Sequence, residues 1–147
     1  MAQFGRPSTD TTRDNWETEA GGTTNIFQQI DETSHSEADY IRTVLTPTSD
    51  VYVTKLTSVE DPVSSSGHTV RFYAAKSAAG GDQIDLTVQL RQGYVSEGTP
   101  GTLIATVATL TDISETFTLT TYNLSAGEAD AISNYADLFL RFVANKP

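Results

Sequence analysis

The sequence predicts an all-β protein: a β-sandwich, in the form of an eight-stranded jelly roll, with one short helix before the last strand and an extended N-terminal arm. Three observations predict it. Threonine supplies 23 of the 147 residues, against three lysines and one methionine, and its β-branched side chain favours strands over helices. Short segments with apolar and polar residues alternating recur along the chain. Clusters of Gly, Pro, Asp and Ser separate them. A chain of this length makes one domain and buries roughly 68–70% of its unfolded surface, enough for a core without metals or disulfides.

Residues 1–25 stand apart from residues 26–147. They are rich in Thr, Asp, Glu and Gly, with Phe4 and Trp16 as isolated large apolar residues, and no period holds across them. Such a segment either frays or reaches out as an arm. Twenty extended residues span up to roughly 66 Å, against a radius of gyration near ~15 Å for the domain. The arm reading has Phe4, Arg6, Pro7 and Trp16 gripping a neighbouring subunit or another protein, since Trp and Arg are enriched among interface hot spots.

From Asn25 on, eight strand-like segments follow. Asn25–Ile30 is short and ends at Asp31-Glu32. Ala38–Leu45 carries Tyr40, Ile41, Val44 and Leu45 and stops before Pro47. Val51–Leu56 places Val51 and Val53 on one face, and His68–Lys76 places Val70, Phe72 and Ala74 there. Gln83–Gln92 is the clearest, with Ile84, Leu86, Val88 and Leu90 alternating with polar residues, as in a half-buried strand. Thr102–Leu110, Ser114–Thr121 and Asp137–Ala144 complete the set. Gly80-Gly81-Asp82 and Gly98-Thr99-Pro100-Gly101 read as hairpin loops. Ser125-Ala126-Gly127-Glu128 matches a capping box and predicts the one helix. Eight strands fit a jelly roll; an immunoglobulin-like sandwich, with seven or nine, is the rival.

Nineteen acidic and nine basic residues give a net charge of −10. That sign opposes nucleic acid and anionic lipid, so neither is an expected partner. Without cysteine, thiol chemistry and cysteine zinc sites are excluded. No run approaches the roughly 20 apolar residues of a membrane span. Met1–Pro7 lacks an apolar signal region, so classical export is not expected.

Little in the chain points to catalysis. The two histidines, His35 and His68, occur in no zinc-binding spacing. Gly-x-Ser-x-Gly is absent, and Ser64-Ser65-Ser66-Gly67 reads as a loop. Paired carboxylates at Asp31/Glu32, Glu60/Asp61, Asp82/Asp85 and Glu128/Asp130 are what 19 acids produce by chance. Asp31, Glu32 and Asp39 form the best acidic cluster for calcium, without the spacing of a calcium loop. The expectation is no enzyme, no cofactor and no metal. Asn123-Leu124-Ser125 is a formal glycosylation sequon. Tyr52, Tyr73, Tyr94, Tyr122 and Tyr135 are candidates for stacking on sugars. Arg71 and Arg141 are expected to pair with Asp137 or Glu128.

Several short stretches, taken in order, resemble the small virion structural proteins of tailed bacteriophages, capsid decoration or cement proteins among them. They are Arg6-Pro7 with a polar arm and a Trp, Ile30-Asp31-Glu32, Ala38-Asp39-Tyr40-Ile41, Asp61-Pro62, Gly67-His68-Thr69-Val70-Arg71, Glu128-Ala129-Asp130-Ala131-Ile132 and Asp137-Leu138-Phe139-Leu140-Arg141-Phe142. The resemblance implies a β-sandwich subunit, often a homotrimer, made in the host cytoplasm and bound to the major capsid protein on the outside of the head, without enzymatic activity. A tail or fibre accessory and a jelly-roll carbohydrate-binding module are the alternatives.

Overall fold

The computed structural model describes residues 1–79 and 81–147; Gly80 of the expected Gly80-Gly81-Asp82 loop lies outside the described residues. The fold is an all-β sandwich. Its larger layer is a five-stranded antiparallel sheet in the order β1 (Pro7–Arg13), β4 (Thr48–Leu56), β9 (Leu138–Asn145), β6 (Asp85–Gln92), β7 (Thr102–Leu110). The second layer is an antiparallel pair, β5 (Thr69–Ala74) with β8 (Thr118–Asn123). Two two-residue strands, β2 (Glu17–Thr18) and β3 (Ile41–Arg42), form a third small pair. Among the described residues, nine strands therefore stand where eight were expected, divided five, two and two.

Alternation builds both faces of the large sheet. Leu86, Val88 and Leu90 of β6 and Leu138, Leu140 and Ala144 of β9 point inward and meet Phe72, Val70 and Tyr122 of the second layer. Phe72 meets Phe142 edge to face, ring centroids 6.1 Å apart, a favoured aromatic geometry. The opposite face is covered as well. Val51, Val53 and Phe139 pack there with Tyr94, because the loop from Gly93 to Gly101 folds back across the sheet. The Tyr94 hydroxyl donates to Glu97 (2.8 Å) and accepts from the Thr12 hydroxyl (2.8 Å). Glu97 in turn takes two bonds from Arg141, 2.9 and 2.5 Å. Arg141 therefore pairs with Glu97, not with Asp137 or Glu128. Asp137 pairs with Lys55 at 3.3 Å, and Glu128 accepts from Tyr122.

The N-terminal segment is extended but belongs to this sheet. β1 runs antiparallel to β4, Pro7 opposite Leu56 and Arg13 opposite Tyr52. Its composition hides it, since PSTDTTR has no apolar face. Polar side chains do the anchoring instead. Asp10 accepts from the backbone N–H groups of Ile26 (2.8 Å) and Phe27 (2.9 Å) and from the Tyr52 hydroxyl (2.8 Å). Those bonds explain why Asn25–Ile30 is not a strand. A carboxylate at its start satisfies the first free N–H groups of a helical turn, and Ile26–Gln29 forms a 3-10 helix with Ile26 fully buried.

The single α-helix among the described residues, α1 (Ala126–Asp130), lies before the last strand as expected. Ser125 accepts from the Glu128 N–H, and Glu128 accepts from the Ser125 N–H at 2.8 Å, the predicted capping box. Ala129 and Ile132 are buried. Among the described residues, no helix is long and apolar enough to cross a membrane.

Candidate interaction surface

The two layers differ in width. Five strands spaced about 4.8 Å apart span roughly 19 Å, whereas a pair spans about 5 Å. The remaining inner face of the large sheet is roofed by the stretch 30–45, irregular except for β3, with Ile30 and Ile41 packed against the core. Beneath that roof lies a cleft of about 1310 Å³. Leu86, Leu90, Leu138, Leu140 and Phe142 form its floor, and Val70 and Phe72 its facing wall. Its rim carries exposed apolar side chains, Phe4 (65% exposed), Leu45 (64%) and Val44.

The four arm residues separate into two roles. Phe4 is exposed, with the Arg6 guanidinium 5.1 Å from its ring centroid. Arg6 also donates to the Glu32 carbonyl at 2.7 Å, which ties the N-terminus to the roof of the cleft. Pro7 opens β1. Trp16, by contrast, is buried in the central core; its ring lies 6.0 Å from Tyr52 and its Nε1–H donates to the Asp50 carbonyl at 3.1 Å. Trp16 is therefore packed into the core of its own subunit rather than presented on the surface beside Phe4. A large apolar side chain flanked by polar residues gives no periodic signal, and only its size hinted at burial.

The aromatic candidates for sugar stacking also divide. Tyr52 and Tyr94 are buried, and burial, then the bonded Asp10, pushes the Tyr52 phenol far above its ordinary range. Tyr122 donates to Glu128 at 2.7 Å. Tyr135 shares a 2.7 Å bond with His68 Nε2; burial first, then the charges of Asp61 and Asp130, raises the pKa of its hydroxyl. Tyr73 is exposed, but His35 stacks on one face of it at 3.7 Å, and Phe117 meets that histidine edge-on. His35, which has no zinc-binding spacing, is thus part of a surface aromatic group that its spacing did not reveal.

His68 bonds Tyr135 rather than a serine, and Ser64 bonds Ser66 at 3.1 Å. Among the described residues, no three His, Asp or Glu side chains are placed to hold a metal ion, Asp31, Glu32 and Asp39 included. No protein-family model, curated protein or solved structure matches this chain.

Proposed function

We propose that this chain is a non-enzymatic structural subunit of a phage virion, of the capsid decoration type. It binds the major capsid protein on the outside of the assembled head and stabilises the junctions between capsomers. The observation that carries the reading is the cleft between unequal layers, with Phe4, Val44 and Leu45 exposed on its rim. Exposed apolar side chains grouped in this way are suited to being covered by protein.

Among the stretches that carry the resemblance, Arg6-Pro7 and Ile30-Asp31-Glu32 meet in the fold. Arg6 bonds Glu32, the Leu124 N–H donates to the His68 carbonyl at 2.9 Å, and Asp137-Leu138-Phe139-Leu140-Arg141-Phe142 lines β9 at the centre of the sheet. A protein that binds only the assembled head stabilises it by mass action, and several weak contacts on one particle add to firm attachment. The net charge of −10 keeps decorated particles apart. The carbohydrate-binding alternative is left with Tyr73 as its exposed ring, one face of which His35 already occupies.

The test is co-sedimentation of the purified chain with heads assembled without it, followed by heating of the mixture. The chain should pellet with the heads at a saturating ratio and raise the temperature at which they open. A chain that stays in the supernatant at every ratio overturns the proposal.

A further inference from the structure

The two margins of the large sheet are built differently. β1 carries Pro7, Asp10 and Arg13, and proline and charge are the usual devices that stop a sheet edge from pairing with another chain. β7, Thr102–Leu110, has the sequence TLIATVATL with neither. Among the described residues it pairs with β6 alone. Half of the N–H and C=O groups of such a strand face outward and have no strand partner. Two register shifts against β6 are the blunting it retains.

Charge distribution marks the same region. From Gly98 to Gly127 the only charged residues are Asp112 and Glu115, in a chain with 19 acids and nine basic residues. Asp112 is neutralised by Lys76. That stretch contains both β7 and β8, and β8 is likewise a margin strand, paired only with β5 among the described residues. Thr102, Thr106 and Thr109 of β7 and Thr118 and Thr121 of β8 are exposed, as is Leu103 at 45%.

We infer that the β7 margin is where a second copy of this chain docks, adding strand to strand. The occupant follows from charge. Two copies of a −10 molecule repel across most of their surfaces, and like charges set opposite one another in a sheet are destabilising. The uncharged margin is where two identical chains meet without that cost. A cationic partner would instead be drawn to the acidic faces. β7 meets either its own equivalent, closing a dimer, or β8 of the next copy, closing a ring; native mass reads which. The inference stands on strand order and charge, and it holds whether or not the chain is a virion protein.

The experiment is sedimentation velocity of the full chain across a wide concentration range at physiological salt, with Thr106→Lys, Thr109→Lys and Ser58→Lys beside the wild type. Circular dichroism checks that each is folded. Ser58 is exposed and lies off the margin. Each substitution makes the net charge less negative, so general repulsion falls in all three. The wild type should sediment as a multiple of 15.9 kDa. Either β7 lysine should raise the dissociation constant about tenfold or more, and Ser58→Lys should leave it unchanged. A wild type that stays at the mass of one chain throughout overturns the inference and leaves the margin to a different protein's strand. An oligomer indifferent to both β7 lysines, or equally weakened by Ser58→Lys, overturns it too.

Discussion

Replacing Trp16 with alanine separates a core role from an interface role. Trp16 is 8% exposed, and its ring lies against Tyr52 in the central cluster that also holds Ile26 and Leu140. Truncating a buried Phe or Trp to Ala costs about 3–5 kcal/mol. The Asp50 carbonyl also loses its Nε1–H donor, a loss of about 1 kcal/mol that falls within that range. For a domain of this size, each kcal/mol moves the thermal midpoint by about 2–4 °C, so the midpoint should fall by roughly 6–20 °C. Urea unfolding followed by far-ultraviolet circular dichroism measures the change without the lost fluorophore. In the wild type, emission from this single tryptophan should resist iodide quenching until the chain unfolds. A variant within about 0.5 kcal/mol of wild type that no longer self-associates or binds heads would refute the reasoning and return Trp16 to an interface.

Three further outcomes follow from the same geometry. Glu97→Gln should cost about 1 kcal/mol at neutral pH, because it breaks a two-point ion pair with Arg141. Those bonds hold the Glu97 carboxyl below its usual range, so its contribution is present above the ordinary glutamate pKa and is lost as pH falls through the lowered folded value; urea midpoints at stepped pH should show the variant and wild type converging in acid. Ser125→Ala removes the helix cap and should lower stability by about 1 kcal/mol, read as a shift in urea midpoint at constant slope. Gly101→Ala should be far worse than Gly67→Ala. Both have positive φ, but a Cβ at 101 would lie 2.2 Å from the Gln92 carbonyl oxygen, whereas at 67 it meets nothing within 4 Å. Position 67 should lose about 1–2 kcal/mol for left-handed backbone, and Gly101→Ala should yield little folded protein on expression; equal midpoints would contradict this.

Where strands alternate cleanly, the fold was legible in the sequence. Gln83–Gln92 and Asp137–Ala144 predict β6 and β9 to within two residues, β6 because its apolar residues alternate with polar ones and β9 because Leu138, Leu140 and Phe142 recur at every second position. The capping box predicts α1 for a local reason, two reciprocal bonds within four residues. β1 was hidden because a margin strand held by Asp10 and by its neighbour's backbone needs no apolar face. The 3-10 helix was hidden for a related reason: its start is satisfied by a carboxylate 16 residues earlier. Tyr94 was read as a loop residue available to a ligand. Nothing local shows that its loop folds back onto Phe139, 5.8 Å between ring centroids. The cleft depends on the unequal widths of two layers, a property of topology that no single segment carries.

The claim that this chain decorates an assembled head is tested most directly by counting it in particles. Quantitative mass spectrometry of purified virions, with peptides of this chain and of the major capsid protein as internal standards, gives the ratio. The proposal predicts a copy number of the same order as that of the major capsid protein. A handful of copies per particle would place the chain in the tail, and its absence from purified particles would contradict a virion role altogether.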